Sequence, residues 1–168
     1  LSYLLRRQGY ATAGFVSSKS VDHESGLAFA FDTFDDDFGN VIRGMDDLLL
    51  LQPFMEALFT EDDPQRSAAE TLDLAQRWMN GQQDIPSFVW IQLHDPVAPH
   101  QDHEDISVKA TGKKGRFYRE ELAYVDGQLQ SFFDKIEERT DNVYATYDRK
   151  RLVVIVGTRG EMLGEHDL

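Results

Sequence analysis

Residues 151–157, RLVVIVG, form an almost unbroken apolar run that ends at a glycine. A run of this length without polar alternation is typical of a strand that is buried on both faces of a parallel sheet. The polar loop that follows, TRGEMLGEHDL, is then expected at the carboxyl end of that strand. Open α/β proteins build their active sites at this edge of the sheet. The run therefore predicts a parallel α/β fold and makes the loop after it a candidate site.

Five further segments have the pattern of regular secondary structure. Apolar spacing predicts helices over 1–8, about 64–81 and about 116–139, and β-rich composition predicts strands over 11–17 and 87–93. For the second helix, Asp63 is the expected N-cap and Pro64 the first helical residue. The order helix, strand, helix, strand, helix, strand predicts an α/β fold with a parallel sheet and right-handed crossovers.

Two segments are less regular. The Phe- and Asp-rich segment 25–38 is expected to be an extended surface stretch. It should bury three side chains: Phe29, Phe31 and Phe34. Residues 41–59 are apolar with helical character, and Pro53 is expected to break or kink them. The third predicted helix is expected to turn six apolar side chains inward: Leu122, Val125, Leu129, Phe132, Phe133 and Ile136.

The acidic composition excludes several classes of function. The formal net charge is -13, and a field of this sign repels phosphate backbones and anionic lipid. Nucleic-acid binding and a membrane-surface role are therefore not expected. No apolar stretch approaches the roughly 18 residues of a membrane-spanning helix. The chain has no cysteine, which excludes disulfides, thiolate metal sites and cysteine nucleophiles from these residues.

Five segments, in order along the chain, carry a family resemblance. LLRRQGYATAGFVS is similar to a helix, GY-x-T and strand segment, and SGLAFAFDTFDD to a GL-x-x-GFD-x-(Y/F) stretch. PSFVWIQLHDPVAP is similar to PFFLWVHYFDPHAPY, and FYREELAYVDGQLQSFFDKIEE to a helix that begins Y-x-x-E. RLVVIVGTRGEMLGEHDL is similar to TLVIFTSDHGE-x-LGEHGL. Together these segments resemble the sulfatase family of the alkaline-phosphatase-like superfamily over nearly the whole chain.

The resemblance implies an alkaline-phosphatase-like parallel-sheet sandwich with helices on both faces. Residues 1–168 are then expected to be a single sulfatase-like domain, a partial one that lacks the N-terminal nucleophile and metal segment. Family members are sulfuric ester hydrolases that use a formylglycine, made from Cys or Ser in a C/S-x-P-x-R motif. They also use a divalent cation, usually calcium, that polarises the sulfate. Histidines and lysines hold the sulfate and protonate the leaving group.

The sequence departs from the family pattern at the positions that carry the chemistry. The family's metal-binding Asp falls on Thr158, and the following His or Asn falls on Arg159. The His of DPH-x-P falls on Val97, and no Ser is followed by x-P-x-R. Calcium prefers six to eight oxygen ligands, several of them anionic, and a guanidinium has no lone pair to offer. We therefore expect no catalytic residue, no metal ligand and no cofactor in this chain.

Three residues are candidates for contact with a substrate or another anion: Arg159, His100 and His166. For Arg159, one interpretation is an ion pair with Glu161, Glu165 or another carboxylate. The other is a fixed charge that occupies the place of the family's metal and either neutralises the remaining acidic residues or holds an anion. For His166, hydrogen bonding within the loop is the simpler alternative. For His100, with His94 and His103 nearby in sequence, the alternatives are a solvated acidic loop, an adventitious metal site or part of an active-site wall.

Three functions remain open. The first is a sulfatase-like domain that has no sulfatase activity of its own. The second is a non-catalytic binding or structural module, a pseudosulfatase. The third is a metal-dependent phosphatase or phosphotransferase relative. The expected partners are a sulfated small molecule or glycan, and a second chain paired at an open sheet edge.

Overall fold

The computed structural model describes residues 1–38, 65–82, 85–96, 106, 113–138, 151–158 and 160. The chain divides into two compact units, Leu1–Asp95 and Pro96–Leu168. The first unit contains α1 (Ser2–Arg7), β1 (Ala11–Val16), β2 (Thr33–Asp35), α2 (Ala68–Gly81) and β3 (Ser87–Gln92). The second contains α3 (Lys113–Glu138). In the described residues, no helix has the length and apolar content to cross a membrane.

The first unit is built on a parallel sheet with the strand order β2-β1-β3. β1 lies in the centre and pairs in parallel with both neighbours, with Gly14 opposite Phe34 on one side and Trp90 on the other. Parallel strands require crossover connections, and α2 lies in the crossover between β2 and β3. The predicted α/β fold with a parallel sheet is confirmed.

One face of the sheet packs on α2. Ala13 and Phe15 point to this face and are buried. The ring of Trp78 on α2 lies edge-on to that of Phe15, with 6.3 Å between the ring centroids. Its indole Nε1 donates a hydrogen bond to Thr33 Oγ1 at 3.2 Å. The helix thus contacts both β1 and β2, and the core of this unit lies between helix and sheet.

The opposite face carries an aromatic cluster. The ring of Phe31 stacks on those of Phe88 and Trp90, with centroids 6.2 Å and 6.0 Å away, and contacts Phe34 at 5.8 Å. The cluster closes over Gly14, because a Cβ built there would lie 2.7 Å from a ring carbon of Phe34. Only a glycine in the central strand leaves room for this ring.

The structure corrects two predictions in the first unit. α2 begins at Ala68 after Ser67, whose Oγ accepts a hydrogen bond from Glu70 N at 3.3 Å. The predicted N-cap at Asp63 is therefore wrong, since residues 66 and 67 are not helical. Phe29 was expected in the core, but it is 85% exposed. It lies in a 3-10 turn, Leu27–Ala30, whereas Phe31 and Phe34 are half-buried as part of the aromatic cluster.

In the second unit, α3 confirms the predicted third helix, and Phe132 and Ile136 are buried as expected. Leu122 was expected to point inward, but it is 43% exposed. Residues 151–158 have no regular secondary structure, and their side chains are exposed. The structure therefore has no strand at 151–157, where the sequence predicted one, and this run takes part in none of the strand pairings of the described residues. The helical prediction for 41–59 falls outside the described residues.

Candidate functional site

The three strands end at one edge of the sheet, because all of them run in the same direction. β1 ends at Val16, β2 at Asp35 and β3 at Gln92. Buried polar groups are concentrated at this carboxyl edge, among them Ser17, Ser18, Asp22, Arg66 and Thr71. In an open α/β sheet this is the edge at which ligands bind, so the chemistry of these groups decides what the site can do.

Arg66 is the centre of the carboxyl edge. Its side chain is 1% exposed and forms an ion pair with Asp35. The guanidinium Nη1 donates to Asp35 Oδ1 and to Asp37 O, and Nη2 donates to Val16 O and Asp35 O. Nε donates to Thr71 Oγ1 at 3.2 Å. A guanidinium has five N–H donors, and here all five have an acceptor in the protein.

This network ties three elements together. Val16 ends β1, Asp35 ends β2 and Thr71 lies in the first turn of α2. A guanidinium with all its donors used and no exposed surface has nothing left with which to hold a substrate anion. The positive charge of Arg66 is instead compensated by Asp35 and three backbone carbonyls. Arg66 is therefore a scaffold residue of this edge.

The hydroxyls beside Arg66 are equally enclosed. Ser17 Oγ and Thr71 Oγ1 are hydrogen-bonded at 2.7 Å, and both residues are fully buried. The backbone N–H of Ser17 is shared between Gln92 O and Gln92 Oε1, each at 3.0 Å. A nucleophilic hydroxyl must reach the substrate and have a base beside it. Ser17 and Thr71 meet neither condition, because each contacts a hydroxyl rather than a base and is closed to solvent.

Asp95 has a structural partner that the sequence did not indicate. Its Oδ2 accepts a hydrogen bond from the backbone N–H of Ala68 at 2.8 Å. Ala68 is the first residue of α2, whose free N–H groups and positive dipole end favour a carboxylate. Asp95, which follows β3, thus works together with Ser67 to hold the N-terminus of α2 at the carboxyl edge.

His23 and Asp36 form a solvent-accessible titratable pair at this edge. Asp36 Oδ2 accepts hydrogen bonds from the backbone N–H of His23 at 2.8 Å and from its Nδ1 at 2.7 Å. The imidazole is 69% exposed. The hydrogen bond and the charge of Asp36 raise the pKa of His23 above 6.5. Partial burial opposes ionisation of Asp36, but the bonds from His23 prevail and hold its pKa below 3.8.

This pair predicts a pH dependence of stability. A raised pKa of His23 stabilises the fold fully below about pH 6.5, the value in an unfolded chain, and the contribution declines as the pH rises through the folded-state pKa. For Asp36 the contribution is present above its unfolded value and is lost as the pH falls through its lowered pKa. We expect His23→Gln to reduce the urea midpoint more at about pH 5 than at about pH 8.5. An equal reduction at both pH values would contradict a charged pair.

The residues expected to contact an anion cannot be compared in position, because none of them belongs to the described part of the chain. Arg159, His100 and His166 lie outside the described residues, as do Val97, His103, Glu161 and Glu165. Thr158 is described and exposed, as is Gly160 two residues later. Among the described residues, no three His, Cys, Asp or Glu side chains are grouped in a way that could hold a metal ion.

The chain is similar in fold to two solved structures, one of which is described as a protein in the alkaline phosphatase superfamily. A superfamily protein from Vibrio parahaemolyticus is 17% identical, with a TM-score of 0.55 over 82% of this chain and 31% of its own. The lipoteichoic acid synthase LtaP from Listeria monocytogenes is 18% identical, with a TM-score of 0.58 over 80% of this chain and 32% of its own.

These structural similarities show the fold. The chain spans about a third of the length of the two solved proteins, so it corresponds to part of each of those chains. No protein-family model and no curated protein matches the sequence. The predicted fold, a partial alkaline-phosphatase-like α/β domain, is thus confirmed at the level of three-dimensional structure.

Proposed function

We propose that this chain is the scaffold part of a sulfatase-like domain and does not itself hydrolyse sulfate esters. The observation that carries the proposal is the closed hydrogen-bond network around Arg66 at the carboxyl edge. The basic side chain at the ends of β1 and β2 uses all five donors within the protein. The hydroxyls of Ser17 and Thr71 beside it are buried. These groups stabilise the fold and have no capacity left for substrate.

The family's calcium does not fit the residues at the corresponding positions. Thr158 supplies one neutral, exposed hydroxyl, where a carboxylate is the ligand that calcium prefers. Arg159 supplies a permanent positive charge, which repels a cation. We therefore derive no reaction step through a metal for this chain, and formylglycine chemistry has no Cys or matching Ser from which to start.

Arg159 is proposed to supply the positive charge that the family obtains from its metal. A guanidinium can hold a sulfate or phosphate through two parallel hydrogen bonds. Two histidines would add hydrogen-bond donors: His100, in the sequence that follows residues 87–93, and His166, in the sequence that follows residues 151–157. In this account the chain is a binding module for a sulfated small molecule or glycan, since it keeps an anion contact without the groups that cleave the ester.

Hydrolysis and binding assays test the two parts of the proposal separately. With calcium, zinc or manganese present, we expect no turnover of an aryl sulfate above the rate without protein. We also expect inorganic sulfate to bind weakly by calorimetry, and Arg159→Ala to abolish this binding. Arg77→Ala is the matched control, because Arg77 is an exposed arginine paired with Asp73 on α2. Saturable hydrolysis of the aryl sulfate would overturn the proposed lack of activity. Equal sulfate binding by Arg159→Ala and Arg77→Ala would overturn the proposed anion contact of Arg159.

A second candidate is phosphoester or phosphotransfer chemistry. It is favoured by the structural similarity to a lipoteichoic acid synthase. This function would need a metal as well, so the same replacements at Thr158 and Arg159 count against it. An aryl phosphate run beside the aryl sulfate distinguishes the two, because turnover of the phosphate alone would favour the second candidate.

A further inference from the structure

Residues 19–30 form a segment that we call the strap, which leaves the carboxyl end of β1 and returns toward β2. It consists of three short 3-10 turns, Lys19–Val21, His23–Ser25 and Leu27–Ala30. The turns pack mainly on one another. The strap lies wholly within the described range 1–38, and none of its apolar side chains is buried. Segments with few buried apolar contacts open at a low cost in free energy, so the attachment of the strap depends on polar contacts.

Both ends of the strap are fixed to the first unit. Before the strap, the backbone O of Ser17 accepts a hydrogen bond from Arg66 N at 2.9 Å. After it, the backbone N and Oγ1 of Thr12 donate to Asp32 Oδ2 at 3.1 Å and 2.8 Å. The backbone N of Asp32 donates in return to Thr12 Oγ1 at 3.0 Å. The two ends can therefore stay in place while the residues between them move.

A single carboxylate oxygen connects the middle of the strap to the sheet. Asp36 follows β2 directly, and its Oδ2 accepts hydrogen bonds from both the backbone N–H and the Nδ1 of His23. Within the described residues, every other hydrogen bond of the strap is made inside it or with its direct neighbours in sequence, Ser18 and Phe31. The middle of the strap is therefore attached to β2 through one titratable pair.

The charges around His23 favour its ionised form. The hydrogen bond and charge of Asp36 raise the pKa of His23, and the charges of Asp22 and Glu24 beside it act in the same direction. The turn before carries one charged residue, Lys19, and the turn after carries none. Between the lowered pKa of Asp36 and the raised pKa of His23, the pair joins an imidazolium to a carboxylate. Above that range the imidazole is neutral, and the hydrogen bond loses the strength that a charged donor gives it.

We propose that the strap opens and closes on a fixed sheet, and that the ion pair of His23 with Asp36 makes this opening sensitive to pH. The strap is closed most firmly while both partners are charged, and it opens more often once His23 has lost its proton. From about pH 5 to about pH 8.5 the open population should rise about two- to five-fold, the effect expected of an exposed ion pair. The inference does not depend on the proposed function, because neither residue belongs to the Arg66 network or to the proposed anion contacts.

Hydrogen exchange of backbone amides, followed by NMR, measures the opening. The N–H of His23 and that of Gly26, which donates to His23 O at 3.1 Å, report on the strap, and the N–H of Ser17, bonded to Gln92 O, reports on the sheet. After correction for the intrinsic effect of pH, the two strap amides should be less protected at about pH 8.5 by the stated factor. Low concentrations of urea should leave their protection unchanged, because local opening exposes little surface, but should lower that of Ser17.

Two variants separate the ion pair from other effects of pH. Asp36→Asn keeps an acceptor oxygen but lacks the charge, so its strap amides should be equally poorly protected at both pH values. Glu24→Gln is the matched control, because it removes a neighbouring charge and leaves the pair intact, and it should keep the pH dependence. Equal protection of the wild type at both pH values, or a pH dependence that persists in Asp36→Asn, would overturn the role of the pair. Equal urea dependence of Gly26 and Ser17 would show that the strap does not open separately, and would overturn the proposal as well.

Discussion

Replacing Arg66 with alanine is expected to lower the free energy of unfolding by about 3–5 kcal/mol, the usual effect of removing one partner from a buried ion pair. The substitution leaves Asp35 without its guanidinium and removes the donors from two further backbone carbonyls, those of Val16 and Asp37. The loss of the guanidinium from the buried Val16 carbonyl and the partly buried Asp35 carboxylate carries most of this cost. Urea unfolding followed by the fluorescence of Trp78 and Trp90 measures it, because both rings contact the sheet of the first unit.

Arg77→Ala is the control for Arg66→Ala. Arg77 also lies in this unit and pairs with a carboxylate, that of Asp73 one turn earlier on α2. Both side chains of this pair are exposed, so the pair contributes little to stability. The unfolding curve of Arg77→Ala should overlay that of the wild type. If Arg66→Ala gave the same overlay, the network at the carboxyl edge would not hold the strands and helix together as described.

Replacing Gly14 with alanine should destabilise the chain by about 1–3 kcal/mol, the range for overpacking a filled site. The new Cβ would lie 2.7 Å and 2.9 Å from two ring carbons of Phe34. The ring has little freedom to move, because it contacts Phe31, which is itself stacked on Phe88. Thermal unfolding of the variant checks the prediction.

Two further variants make the Gly14 test specific. Gly81→Ala lies at the end of α2 with no atom within 4 Å of the new Cβ. It should leave stability unchanged or raise it, since alanine is the better helix former. The double variant Gly14→Ala/Phe34→Leu should lose less stability than the sum of the losses of the two single variants, because the smaller side chain at 34 relieves the clash. A combined loss equal to the sum of the single losses would show that the Phe34 ring is not the cause.

The sequence was sufficient to predict the elements whose own pattern is strong. β1 and β3 are predicted by β-rich composition, and α3 by its apolar spacing. β2 was missed because three residues, Thr33–Asp35, are too few for a period to be visible. It forms because β1 offers a parallel neighbour and Gly14 leaves room for the ring of Phe34. Its formation therefore depends on tertiary contacts.

Competing local signals explain the misplaced start of α2. Asp63 and Ser67 are both good N-cap residues, and the following Pro64 favours the first of them. The second is used because Asp95 accepts a hydrogen bond from Ala68 N, an interaction that needs β3 in place. Arg66 stands just before this helix, and no pattern in the sequence distinguishes it from any other loop arginine. Its role as the donor that joins β1, β2 and α2 depends on the three-dimensional contact of these elements.

For residues 151–157, the sequence predicted a strand that the structure does not contain. Its composition is that of a buried central strand, yet it pairs with none of the strands that the structure describes. An apolar pattern specifies that a segment should be covered, and it does not specify which segment covers it. This is why the sequence predicted a strand, whereas the structure has an exposed segment with the same composition.

We propose above all that this chain keeps an alkaline-phosphatase-like fold without a family-type metal site. Calorimetric titration of calcium into the chain tests this claim most directly. We predict no saturable heat at a one-to-one ratio, because Thr158 and Arg159 replace an anionic ligand with a neutral hydroxyl and a cation. One calcium bound per chain with micromolar affinity, lost in Thr158→Ala, would contradict the account.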